Sequence, residues 1–335
     1  MAVSRLLRGY PKGRLQSPPG RWAARFSTTF LENITSCDVV DHTAAESTPE
    51  SIQKLLLGRG KQKRPFILRN YLSTIWANKC LRNWTSPASL KSHLVAQGLR
   101  SGEYIVRCEF GGNYMDKNMS TKSVCLLQLM DYFNHCEARS TAGGIHSQAY
   151  LAQFSILNNN YSLLLDDVRP FPLEIIKMIG GDGAITPRAE KDNLYNVNIW
   201  FNGVNSTNMT ASPCHYDPYH NLLCQVSGEK RVLLLDPEYK DCMYMHEGVQ
   251  KNTSCINFDV ITIYEGESGD DCVDRKKEEE EEIKKHPLLF SNMTRPVRAS
   301  LAVLRPGDAL YIPLRWMHYC RSRGRSMSTN FFFLL

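Results

Sequence analysis

The chain has 335 residues, 42% of them hydrophobic and 22% charged, enough to bury a sizeable core as one large domain or two ordinary ones. No run of 18 apolar residues occurs, which excludes a helical membrane span. The net charge of +6 sits in residues 1–31, where Arg5, Arg8, Lys12, Arg14, Arg21 and Arg25 stand without an acidic residue; the remainder carries 34 charges of each sign, which argues against a broad phosphate-binding surface.

Residues 1–27 read as a mitochondrial transit peptide, with a disordered basic tail as the alternative and cleavage expected near Ser27. The expected location is mitochondrial, with cytoplasm or nucleus as alternatives. Eight N-x-[ST] sequons, where about three arise by chance, raise secretion as a competitor. The N-terminus lacks the apolar stretch a signal peptide needs. The eleven cysteines are scattered and form no C-x-x-C pair, which reads as reduced thiols, not as a disulfide framework or zinc site.

Residues 28–143 read as an α+β lead-in. "RPFIL" after Lys63 is strand-like, and "TSPASLKSHLVAQGL" (85–99) carries an N-cap signal and helical spacing of Leu90, Leu94 and Leu99. "EYIVRCEF" (103–110) alternates as a strand, and "VCLLQLMDYF" (124–133) reads as an amphipathic helix. From 144 to 335 the texture changes to short strands between turns: "QAYLAQFSIL", "NVNIWFNG", "HNLLCQVSG", "KRVLLLDP", "SLAVLRPGDALYIP" and "MSTNFFFLL". That pattern predicts a mainly β double-stranded β-helix, or jelly roll. Residues 266–287 interrupt it with a charge-rich insertion, expected to be a solvated loop or short exposed helix.

"SPCHYDPYHN" (212–221) puts His215 and Asp217 two apart, on one face of a strand end. Two histidines and one carboxylate leave open positions on an iron, so a third ligand is needed, and His318 in "RWMHYC" fits that part. Lys230 alternates to the interior of its strand. A buried lysine is costly without a counter-charge, so either it snorkels out or an anion waits inside. A dicarboxylate chelating metal at one end would supply that anion at the other, with Ser212 adding a hydroxyl and Asn221 and Asn330 lining the chelating end.

The run from Ser212 to Lys230, "LRPGDALYIPLRWMHY" and "STNFFF" together resemble the Jumonji-C family of cupin-like Fe(II)- and 2-oxoglutarate-dependent oxygenases, in particular its small stand-alone hydroxylases. The resemblance covers about 145–335. It implies Fe(II) at His215, Asp217 and His318, 2-oxoglutarate as cosubstrate, and O2. It pairs Lys230 with the distal carboxylate, joined by Ser212 and by Tyr150 of "AYLAQ"; it sets Asn221 and Asn330 near the iron and makes Trp200 a pocket wall. The stretches 203–210 and 266–286 are longer than the family pattern and bear on substrate preference. The implied activity is hydroxylation of a protein side chain. The alternatives are a tRNA base as substrate, which keeps RNA as a partner, or an inactive jelly-roll binding module. Oligomeric state is left open.

Overall fold

The computed structural model describes residues 24–25, 34–41, 63–76, 79–111, 120–140, 149–158, 161–180, 194–203, 209–261, 263–264, 272–290 and 299–334. The segment read as a presequence thus lies outside the described residues except for Ala24–Arg25, as does most of the lengthened link 203–210.

In chain order the strands are β1 (Ala24–Arg25), β2 (Ile34–Ser36), β3 (Asp38–Asp41), β4 (Phe66–Arg69), β5 (Ile105–Phe110), β6 (Ser120–Cys125), β7 (Ala149–Ser155) and β8 (Leu194–Asn202). They continue with β9 (Met209–Tyr216), β10 (His220–Ser227), β11 (Lys230–Leu235), β12 (Ile263–Tyr264), β13 (Ala299–Leu304), β14 (Ala309–Ile312), β15 (Met317–Arg323) and β16 (Ser326–Phe333). A nine-stranded sheet runs β3-β4-β14-β10-β16-β8-β7-β5-β6, and a five-stranded sheet runs β2-β13-β11-β15-β9. From β8 onward the chain winds back and forth between the two sheets, so β8-β16-β10-β14 face β9-β15-β11-β13 as a double-stranded β-helix, the expected jelly roll.

The lead-in widens the larger sheet at both edges, with β3 and β4 on one side and β7, β5 and β6 on the other. Its helices are α1 (Tyr71–Trp76), α2 (Pro87–Ala96) and α3 (Leu126–Ser140), followed by α4 (Ser162–Asp167) and α5 (Leu173–Gly180). Ser86 caps α2, its hydroxyl accepting from the Ser89 N–H at 3.1 Å, with Pro87 at the first helical position. The helix read at 124–133 begins later and runs longer, because Val124 and Cys125 are spent in β6. Trp76, Trp84, Phe133 and Phe331 are fully buried in the core between these helices and the outer face of the nine-stranded sheet.

Two further clusters show which way each barrel strand faces. Val232 and Leu234 pack with Leu223, Leu310 and Ile312 inside the barrel, whereas Leu233 and Leu235 pack with Tyr239, Phe258, Met317 and Tyr319 on the outer face of the smaller sheet. Alternation on β11 therefore turns Lys230 inward with Val232, and on β15 it turns His318 inward between Met317 and Tyr319.

The charged insertion is the mostly exposed helix that was one of its two expected forms, but it departs from that expectation at one end. It forms a helix, α6 (Cys272–Lys285), whose C-terminal end is docked: Glu282 and His286 are buried, and Glu282 Oε1 accepts from the Asn257 N–H at 2.7 Å. Charge composition predicted the exposed face of α6 and concealed the anchored one. Leu289, just beyond, enters the outer cluster with Phe258.

Candidate metal centre and pocket

Of the two strands that carry the site, β15 is not among those read from sequence, and of β9 only the end at His215 is. β9 contains Pro213, which removes a ladder donor, and both strands are rich in polar residues; β9 tolerates the proline as the edge of its sheet. Their pairing sets His318 opposite His215 and Cys320 opposite Ser212, so β9 spends one extra residue against Tyr319. This bulge at Pro213–Cys214 shifts the alternation. Cys214 joins the outer cluster, while Ser212 and His215, three residues apart, both line the interior. The free edge of β9 is covered by 252–254: Ser254 N–H donates to Cys214 O at 2.7 Å, and Tyr216 N–H to Asn252 O at 3.0 Å.

The bulge brings His215, Asp217 and His318 together, one ligand atom of each within 4.8 Å of the others. His318 Nε2 lies 3.6 Å and His215 Nε2 4.0 Å from the Asp217 carboxylate. Each imidazole turns its other nitrogen to a backbone carbonyl two residues upstream, His215 Nδ1 to Pro213 O at 2.7 Å and His318 Nδ1 to Trp316 O at 3.0 Å. These contacts turn both Nε2 atoms toward the carboxylate, the orientation metal-ligating histidines share. Burial, then the neighbouring His215, pulls His318 down to about 4, opposed by Asp217, so its imidazole is neutral at ordinary pH. Arg315, at φ 66°, donates its backbone N–H to Asp217 O at 3.1 Å and holds the carboxylate-bearing turn.

The triad lines a pocket of about 390 Å³, part of it open to solvent, shared with Ser212, Trp200, Asn221, Lys230, Cys320 and Phe332. Lys230 is 4% exposed and meets no carboxylate among the described residues. Its ammonium lies over the Trp200 ring, 5.8 Å from the centroid, and burial pulls it down to about 8. It does not snorkel to solvent. Tyr150 shares a side-chain hydrogen bond with Ser212, and its ring lies 6.4 Å from that of Trp200; burial raises its phenol. Trp200 Nε1–H donates to Asn330 Oδ1 at 2.8 Å, and Asn330 Nδ2 donates to Asn221 Oδ1 at 3.0 Å, so these three act as one chain of hydrogen bonds across three strands.

All nine residues singled out from the sequence therefore fall in or directly beside this one pocket. Sequence reasoning did not find Gln153, Cys320 or Phe332. Gln153 has φ 44° at a register shift between β7 and β8, which no local residue signal announces. Cys320 was legible: it follows His318 by two and must share its face. Its thiol is pushed up to about 11 by burial, with Lys230 opposing.

Residues 60–334 match the model of the cupin-like domain family. Among curated proteins, the chain is 26% identical over 232 residues to Jumonji C domain-containing protein 5 of Drosophila melanogaster, covering 69% of this chain and 47% of that protein. It is 26% identical over 247 residues to lysine-specific demethylase JMJ30 of Arabidopsis thaliana, covering 73% and 46%. With lysine-specific demethylase 8 of Danio rerio it shares 29% over 229 residues, covering 68% and 44%. The chain spans about half the length of the curated relatives it matches. The facing His215 and His318, the inward Lys230 and these matches agree, and the chain belongs to the cupin-like JmjC family, whose members are typically Fe(II)- and 2-oxoglutarate-dependent oxygenases.

Proposed function

We propose that this protein is a 2-oxoglutarate-dependent dioxygenase that hydroxylates a protein side chain. The observation that carries the reading is Lys230: a buried ammonium with no carboxylate partner among the described residues, in the same pocket as the His215–Asp217–His318 group. A buried charge left without a counter-ion is costly, and a dicarboxylate is the ligand that relieves it. The donor set of two imidazoles and one carboxylate fits a ferrous ion that keeps open positions. Bound there, iron would supply the activation of O2 by which one oxygen atom is inserted into a substrate C–H bond.

The chain's own residues do the positioning. Lys230, Ser212 and the Tyr150 hydroxyl form a donor group for the distal carboxylate. The Trp200–Asn330–Asn221 chain stiffens the wall beside it, and the two backbone carbonyls keep both Nε2 atoms turned to the metal position. Trp200, Leu223 and Phe332 line the pocket with apolar surface and exclude water around the reacting centre.

Relatives that include two of those above are called lysine-specific demethylases, and removal of an N-methyl group by this chemistry also begins with hydroxylation. A protein substrate is preferred to RNA because residues 32–335 carry 34 charges of each sign, a balance that argues against broad phosphate binding. The deciding experiment traps substrates on a His215→Ala variant and follows wild-type turnover by mass spectrometry. A gain of one oxygen on a protein side chain, with iron-dependent succinate release, supports the proposal. Loss of a methyl group replaces it with demethylation, an oxygen gain on RNA replaces the substrate class, and no succinate leaves the binding-module reading.

A further inference from the structure

Asp217 stands one residue past the last position at which β9 pairs with β15, Tyr216 opposite Met317. Two bonds from outside the strand hold it there. The Tyr216 carbonyl, in the peptide that enters Asp217, accepts from Asn252 Nδ2 at 3.0 Å; the Asp217 carbonyl, in the peptide that leaves it, accepts from the Arg315 N–H at 3.1 Å. Asn252 also accepts, through its own main-chain carbonyl, from the Tyr216 N–H at 3.0 Å. One asparagine thus grips both the N–H and the C=O of the residue that separates His215 from Asp217.

A side chain positions a backbone only if it is itself held, and Asn252 is. Residues 252–254 lie between β9 and 244–246, with Thr253 bridged to His215 and Ser254 to Met245. His246 N–H donates to Thr253 O at 2.9 Å, Cys255 N–H to Tyr244 O at 2.8 Å, and Thr253 N–H closes the turn on Gln250 O at 2.8 Å. The buried Ser254 hydroxyl donates to Met243 O and accepts from the Ile256 N–H. In the sequence Asn252-Thr253-Ser254 reads only as a sequon; in the fold its amide is turned to Tyr216 and the two residues after it are buried. Pro213 O and Trp316 O orient the two imidazoles, and groups that orient ligands in this way typically govern metal affinity.

We infer that Asn252 is a positioning residue of the metal centre: through the Tyr216 peptide it holds Asp217 where its carboxylate and the two imidazoles reach one ion. The inference rests on the reading of His215, Asp217 and His318 as metal ligands. Closure of the β9 edge is a separate task, carried by the main-chain groups of 252–254, and it survives any substitution at 252. So does the Arg315 bond, which is also main-chain. What the asparagine side chain adds is the bond to Tyr216 O, and that bond bears on the orientation of the next residue, Asp217.

The test titrates Co(II), a spectroscopic substitute for the ferrous ion, into the full chain and follows its visible absorption. Asn252→Ala should weaken Co(II) binding about tenfold, the usual cost of losing a group that orients a ligand. Asn252→Leu, similar in size but without the donor, should do the same. Ser86→Ala, which uncaps α2 on the outer side of the larger sheet, controls for a general loss of stability and should bind Co(II) as wild type does. Wild-type affinity in Asn252→Ala or Asn252→Leu overturns the inference, as does an equal loss in Ser86→Ala. Thermal unfolding identifies a variant that fails to fold; the other then carries the comparison, and if neither folds, Asn252 serves the fold and the inference is overturned. Succinate release by iron-loaded wild type is scored separately. Its absence with the Co(II) pattern intact removes the oxygenase reading and leaves the positioning role standing, whereas a wild type that binds Co(II) no better than Asp217→Ala overturns both.

Discussion

His215 and His318 face one another across β9 and β15 in direct register, their ring centroids 4.3 Å apart at an interplanar angle of 53°. The pair converges because the bulge at Pro213–Cys214 turns one imidazole inward and a carbonyl fixes each ring. Asp217, from the turn that follows, adds the negative charge.

Asp217→Ala should therefore abolish retention of iron while the fold persists, because it removes the one anionic ligand and touches no core packing. Metal content of the purified variant, with circular dichroism as the fold check, decides it. Unchanged iron would refute the assignment of the triad.

Lys230→Ala should raise the 2-oxoglutarate requirement roughly 30- to 5,000-fold, the equivalent of about 2–5 kcal/mol for a charge-assisted bond in a dry pocket. Lys230→Arg should rescue it only in part, since a planar fork needs more room than an ammonium. Titration of 2-oxoglutarate against succinate at saturating iron makes the comparison.

Lys230 also sets a pH dependence. Burial lowers it from 10.5 to about 8, so between those values the unfolded chain binds more protons than the folded one. Stability of the ligand-free protein should accordingly rise with pH across that window, contrary to the usual alkaline loss. Carboxylate binding requires the ammonium, so 2-oxoglutarate affinity should fall by about tenfold per unit above pH ~8. Calorimetry in buffers of different ionisation heat should show proton uptake on binding there; none is expected if Lys230 stays charged throughout.

Asn330→Ala should destabilise the fold by about 1–3 kcal/mol, because it strands both the Trp200 indole N–H and the Asn221 carbonyl in the interior. Urea unfolding measures the loss. A change below about 0.5 kcal/mol would mean that the three side chains do not act as a unit.

Glu282→Ala should free the docked end of α6, since the Asn257 N–H loses its acceptor and His286, still bonded to the residue 282 main-chain carbonyl, loses the carboxylate beside it. Hydrogen exchange should quicken at 255–259 and 282–290 while β11 and β15 stay protected. Uniform protection would show that Leu289, Ile283 and the Leu288–Tyr244 bond hold the insertion without the Glu282 carboxylate.

What the sequence determined by itself was local. Alternation in "KRVLLL" was enough to turn Lys230 inward, and H-x-D spacing put His215 and Asp217 at one strand end, because strand geometry imposes a period of two wherever the backbone is regular. The jelly roll was legible from evenly spaced short strands, and Ser86 with Pro87 marked the start of α2. Tertiary structure decided everything that depends on irregular backbone or distant pairing. The bulge in β9 put Ser212 and His215 on the same side three residues apart, against simple alternation; Gln153 is re-aimed by an irregularity of the same kind. His318 reaches His215 only through pairing of strands over 100 residues apart, and Glu282 is buried inside a run of charges because Asn257 waits beneath it. Extra residues in a ladder are set by what the partner strand offers, and partners are chosen by global packing, so no local pattern carries them.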